Sequence, residues 1–262
     1  MTTYFHFFAK SFKSNLAYRA QVWLSILASL LAIVSQVAIW RALLASGPVN
    51  GIALPDMITY VILNSAIYVV LMYEMFEEVD DRLRTGDIAV DLIKPMRYPL
   101  YLLADQLGNT AYRLAFYVAP TVFVAALLFG LTAPASPLHA AAFVMAMVIA
   151  TILSFAFGYL IALLAFHFLT TLHFSWTFLG LVIMFSGSFL PLWFFPAGWA
   201  DVARALPFQF LGFVPAAIYM GKMPVTEIAP TLAVGLMWIV LLMCAAALMW
   251  AVSMRRLVVQ GG

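Results

Sequence analysis

The sequence predicts an all-α integral membrane protein with six transmembrane helices, and three observations carry the prediction. Of its 262 residues, 66% are hydrophobic and only 9% charged, against about 25% charged in soluble domains. The apolar stretches are long continuous runs, the signature of membrane-crossing helices rather than of alternating strands. Half of the charge is gathered in one place. Twelve of the 24 charged residues (13 basic, 11 acidic) fall between Glu74 and Asp105. A charge at mid-bilayer costs roughly 2.5–3.5 kcal/mol on insertion scales, so this island must sit in water or against a protein partner. The whole chain, 1–262, reads as a single transmembrane domain.

Residues 2–19 form an amphipathic start. Phe5, Phe8, Ala9, Phe12 and Leu16 cluster on one helical face, with His6, Lys10, Lys13 and Ser14 away from them and Phe7 interrupting the polar side. That pattern suits a helix lying in the membrane interface, its basic residues near lipid phosphates. The first span covers about 21–43. Its apolar core exceeds the roughly 7–15 residues of a signal peptide, so it reads as a retained crossing. The turn-rich run Ser46 to Gly51 ends it. The second span, about 57–76, has Asp56 as a plausible cap and holds Asn64, Ser65, Tyr68 and Tyr73. Asn64 and Tyr68 lie four apart and share a face. They read either as bonds to a neighbouring helix or as the lining of a pathway.

The charged island has internal form. Gly86 breaks one helix and Asp87 caps another. Ile88, Ala89, Leu92 and Ile93 fall on one face, with Asp87, Asp91 and Lys94 mostly opposite, and Pro95 stops the helix. Such a two-turn amphipathic helix, held within a loop at 77–105, is either a solvated connector or a peg for a soluble partner that covers its apolar stripe.

The third span covers about 107–130, with Arg113 near its start, where a long side chain reaches the interface, and Pro120 predicting a kink. The fourth, about 139–168, makes roughly 45 Å of helix against a hydrocarbon layer of about 30 Å, so it tilts or projects. Gly158 and Ala162 offer a close helix contact. His167 and His173, six apart, share no helix face, so joint ligation of a haem or metal needs an irregular bend. The fifth span covers about 175–195. The stretch 196–222 after it is broken by prolines and glycines yet stays apolar and aromatic. It suits two short helices that dip into the membrane edge and return, their backbone covered by protein. Asp201 and Arg204 can pair there. The sixth span covers about 230–253. Cys244 is the only cysteine, so it forms no internal disulfide.

Six spans place both termini on one side. With that side cytoplasmic, nine Lys and Arg lie inside and three outside (Arg41, Arg204 and Lys222), with Arg113 ambiguous. The positive-inside rule therefore puts the termini and the island in the cytoplasm and the 196–222 hairpin outside. A net charge of +2 is too small to argue for nucleic acid.

No phosphate-binding loop of the Gly-x4-Gly-Lys-Ser/Thr type is present, nor an HExxH, GxSxG or CxxC motif. No catalytic residue and no metal site is expected. The spans also lack a carboxylate at mid-depth, which ion-driven carriers usually need. The chain thus has no evident energy source, yet it keeps a polar peg. A stand-alone secondary carrier or channel, or a redox protein using the two histidines, are the competing classes.

In this setting NLAYRAQVW near the start, RTGDIAVDLIKPMRYPLYLLADQLG at 84–108 and LPFQFLGFVPAAIYMGK at 206–222 together resemble the permease subunits of type 2 ATP-binding-cassette (ABC) exporters. More narrowly, they resemble the small six-span bacterial permeases that include viologen-exporter-like proteins. The resemblance implies that residues 2–19 are an interfacial elbow and that 196–222 is an extracellular re-entrant hairpin. It implies a coupling helix seated in an ATPase groove through Asp87, Ile88, Asp91, Leu92, Ile93, Lys94 and Pro95. Two such permeases, identical or paralogous, would pair with two ATPase subunits in the bacterial inner membrane. ATP and Mg would bind the ATPase, and this chain would hold no cofactor. The gap from Gly86 to Pro95 is too short for the importer loop signature, which favours export. Asn64 and Tyr68 stand as possible pathway residues.

Overall fold

The structure is a computed structural model that describes residues 2–16, 19–71, 85, 97–168 and 172–257. All its named elements are helices: α1 (Thr2–Asn15), α2 (Arg19–Leu43), α3 (Leu54–Leu71), α4 (Tyr98–Arg113), α5 (Ala119–Phe129), α6 (Pro137–Leu164), α7 (Leu172–Phe185), α8 (Trp199–Ala205), α9 (Phe213–Tyr219) and α10 (Val225–Leu257), with a π segment at Leu114–Val118 and two short 3₁₀ turns. Among the described residues, five helical stretches are long and apolar enough to cross a membrane: Gln21–Leu43, Leu54–Leu71, Tyr98–Phe129, Pro137–Leu164 and Val225–Ser253.

The third crossing begins at Tyr98, not near residue 107, because the end of the charged stretch is already helical. Pro99 sits in the first turn of α4, where a missing N–H costs nothing. The bend expected at Pro120 takes a particular form. Pro120 cannot donate to the carbonyl four residues back, and its ring crowds that turn. The helix relaxes by widening to a π turn just before it, so that the Ala119 N–H reaches back to the Leu114 carbonyl.

The fifth expected span ends early. α7 has 14 residues, about 21 Å of helix, and stops at Phe185. Gly187 adopts φ +76°, a conformation that breaks the helix and that only glycine takes freely. α6 starts on Ser136, whose hydroxyl accepts from the His139 N–H at 3.3 Å, with Pro137 in the first turn.

α3 is the buried centre: 61% of its span is buried, against 17% of the α2 span and 11% of the α10 span. Two ends can be distinguished by their contacts. At one, α1 packs along α4. Phe7 meets Tyr101 edge-on at 4.8 Å, Asn15 Nδ2 donates to Asn109 Oδ1 at 2.5 Å, and Gly108 lets the Phe8 carbonyl approach so closely that a Cβ would collide with it. Phe7 therefore belongs to the protein-facing side of α1, while Phe5 stacks on Phe8 at 6.1 Å, on the shared face the sequence predicts, and is 68% exposed. Tyr98, Tyr159 and Phe166 gather round Trp250 at this end.

At the other end lie the loops between α2 and α3 and between α5 and α6, with the hairpin between α7 and α10. Asn50 Nδ2 donates to the Trp193 carbonyl at 3.0 Å, Thr59 and Thr132 share a hydrogen bond at 2.9 Å, and the Ala135 N–H donates to Tyr219 O at 3.1 Å. Asp56 caps α3 from its third position, accepting from the Ala53 N–H, and also holds Lys222 at 2.8 Å. Residues 207–218 are all buried, packed on α6 and α3. The irregular backbone of the hairpin is thus covered by protein, the condition for its survival beside lipid.

Candidate functional site

The second face of α3 opens on a groove. Two cavities, of about 400 and 300 Å³, share Ala28, Ser29, Tyr68 and Val69 in their walls and so run into one another. α2 supplies one wall through Gln21, Ser25, Ser29 and Gln36, spaced four, four and seven residues apart, which places them on one helical face. α3 supplies Asn64, Ser65 and Tyr68. Ile183, Ser188 and Phe189, at and beyond the end of α7, line the hairpin end. Arg113 and Tyr117 line the opposite end.

Asn64 and Tyr68 are brought together on this wall but do different work. Asn64 is 3% exposed. Its amide donates to the Tyr60 carbonyl at 3.2 Å, and its Oδ1 has no hydrogen-bond partner among the described residues. It lies against Gly212 of the hairpin, where an added Cβ would come within 2.8 Å of Asn64 Oδ1 and 2.9 Å of the Ser186 carbonyl. Asn64 therefore seals the groove against the hairpin. Tyr68, 42% exposed, faces the open space of both cavities.

Arg113 is the charged side chain among those lining the groove. It is the last of the 16 residues of α4, well beyond the start of its crossing, and turns towards α3, where Nη1 donates to the Val69 carbonyl at 3.3 Å. Ser154 Oγ donates to the Leu71 carbonyl at 2.5 Å. The last described carbonyls of α3 are thus held by α4 and α6, just before the charged island. On the island's far side, the Arg97 N–H donates to the Tyr4 hydroxyl of α1 at 3.2 Å. Asp87, Ile88, Asp91, Leu92, Ile93, Lys94 and Pro95 lie outside the described residues.

The α2 stripe escaped the sequence reading, although its spacing was visible there. Glutamine and serine barely lower the average over an apolar run, so hydropathy hides them. Chemically, apart from Arg113 at one end, the groove offers neutral donors and acceptors between apolar walls, which can hold an amphiphilic solute. The two histidines do not contribute. His167 Nδ1 lies 3.3 Å from the Leu163 carbonyl of its own turn, and His173 is exposed at the start of α7. Asp201 and Arg204 do pair, at 3.6 Å, on the hairpin surface.

Five apolar helical stretches of crossing length, beside an open groove with polar side chains among its walls, mark a multi-pass membrane protein. The model of the ABC-2 family transporter proteins matches residues 22–261, nearly the whole chain, and the chain belongs to that family. It is therefore an ABC-transporter permease, in a family that works with an ABC ATPase. No curated protein and no solved structure matches it.

Proposed function

We propose that this chain is the transmembrane half of an ATP-driven exporter and that the groove between α2 and α3 is its solute path. The observation that carries this reading is the row of polar side chains, Gln21, Ser25, Ser29 and Gln36 of α2 facing Asn64, Ser65 and Tyr68 of α3, along a groove whose other wall residues are mostly apolar. In this reading α7, extended by the bend after it, is a sixth crossing. Both termini and the island face the cytoplasm, and the hairpin faces outward. Two ATPase subunits and a second permease, identical or paralogous, complete the assembly in the bacterial inner membrane. ATP and Mg reside on the ATPase, with no cofactor in this chain.

The helix at 87–95 docks on the ATPase through Ile88, Leu92 and Ile93. A docked peg shifts the permease only if it binds two ATPase states differently. The ties from Val69 and Leu71 to α4 and α6, and from Arg97 to α1, give displacement of the island a direct route into the walls of the groove. Leu92→Asp places a charge in the docking stripe. It is expected to reduce co-purification of the ATPase at least about tenfold, a loss typical of a charge buried at an interface, while membrane insertion stays intact. Unchanged co-purification with unchanged stimulated ATPase activity would count against docking at this helix.

A further inference from the structure

A second cavity, of about 430 Å³, lies at the hairpin end, on the flank of α10 and apart from the groove. Its walls carry Arg204 from α8, Lys222 from the turn before α10, and Glu227 and Thr231 from α10 itself. We propose that this cavity binds the headgroup of a phospholipid bearing a primary amine, of the phosphoethanolamine type.

The charges divide into held and available. Lys222 is held: it sits 2.8 Å from Asp56, with about a quarter of each side chain exposed, and fixes the cavity wall to α3. Arg204 is available. Its pairing with Asp201 is long, at 3.6 Å, and more than half exposed on both sides, so water screens it and its guanidinium can take a phosphate in a two-pronged bond. Glu227 has no ion pair among the described residues. A cation, a carboxylate and a hydroxyl thus face one space, matching a zwitterion with phosphate at Arg204 and ammonium at Glu227 and Thr231. The nearby rings do not form a cage for a quaternary amine. Trp193 is packed edge-on against Phe213 at 4.9 Å and against Tyr60 at 5.6 Å. Hydrogen-bond acceptors therefore dominate, favouring a primary amine over choline.

The face of α10 below the cavity argues for a lipid rather than a free headgroup. Glu227, Thr231, Val234, Leu241 and Leu248 repeat at helical spacing on that face. Polarity falls along it from carboxylate to hydroxyl to aliphatic, and Leu241 and Leu248 are 50% and 72% exposed. A lipid has the same gradient from head to acyl chain.

Native mass spectrometry of the full chain in detergent tests this with phosphatidylethanolamine, phosphatidylcholine and phosphatidylglycerol of identical chains. It needs neither ATP nor a partner, so its outcome is independent of the transport reading. The wild type is expected to retain phosphatidylethanolamine about tenfold more tightly than the other two, the scale of one charge-assisted hydrogen bond. Glu227→Gln is expected to abolish that preference, and Arg204→Gln to weaken all three lipids together. Thr231→Val, a milder change, is expected to lower the preference about threefold. Equal retention of the three lipids by the wild type overturns the proposal, as does an unaltered preference in both Glu227→Gln and Thr231→Val. Displacement of the lipid by an equal concentration of soluble phosphoethanolamine overturns the lipid as its source.

Discussion

Ser29→Phe is expected to stop transport while leaving the assembly intact. Ser29 lines both cavities at the point where they join, so a phenyl ring there fills the passage between them. A misfit of one methylene in a binding pocket is worth roughly 10–200-fold, and a ring at a constriction should cost at least the tenfold end of that range. The measurement is ATP-dependent efflux of a panel of amphiphilic dyes from cells that also express the ATPase. Efflux should fall at least about tenfold, with ATPase co-purification unchanged. Ser29→Ala, which removes a hydroxyl but adds no bulk, should stay within about twofold of the parent. Equal efflux from Ser29→Phe and the parent would place the solute elsewhere.

Gly187→Val is expected to give the largest loss of stability. The glycine sits at φ +76°, where a β-branched residue is strained by about 1–3 kcal/mol. There is also no room. A Cβ would come 2.6 Å from Leu192 Cδ1, 2.9 Å from Phe213 Cβ and 3.2 Å from the Tyr60 hydroxyl, and overpacking of that kind costs about 1–3 kcal/mol more. The turn is also a junction. The Tyr60 hydroxyl donates to the Gly187 carbonyl at 2.7 Å, and the Phe213 N–H donates to the Ser186 carbonyl at 2.8 Å. Pushing it apart would detach α3 from the hairpin. A combined cost of about 4 kcal/mol corresponds to a fall in Tm of roughly 8–15 °C, read by thermal unfolding in detergent. A fall of a degree or two would show that the turn yields without strain.

Much of the fold was legible because lipid leaves few options. The apolar runs at α2, α3, α6 and α10 name their own crossings, give or take a few residues. The broken, greasy stretch after α7 had to be covered by protein, and residues 207–218 are buried. The Asp201–Arg204 spacing predicted a pair that forms. What stayed hidden depends on contacts distant in sequence. Nothing local says that Phe7 rather than Phe5 meets Tyr101, because both sit on an aromatic helix whose partner is more than 90 residues away. Tyr98 opens a helix that the charges around it disguised as loop. The end of α7 turns on the backbone of one glycine within an apolar run. Of the site, Asn64 and Tyr68 stood out as polar groups in the second span. Their partners on α2 did not, since only the structure shows that one face of that helix looks inward.

The facing of α2 is also where the central claim can be tested most directly. With Cys244, which is exposed, replaced by serine, single cysteines at positions 25, 29 and 36 can be compared with cysteines at 24 and 31. Leu24 and Leu31 are 67% and 58% exposed, but towards lipid if the groove is the path. A small membrane-impermeant thiol reagent should label positions 25, 29 and 36 in native membranes, with rates that change when ATP is added with the ATPase present, and should leave 24 and 31 unlabelled. If positions 25, 29 and 36 are as unreactive as 24 and 31, no water-filled pathway follows that face and the groove does not carry the solute.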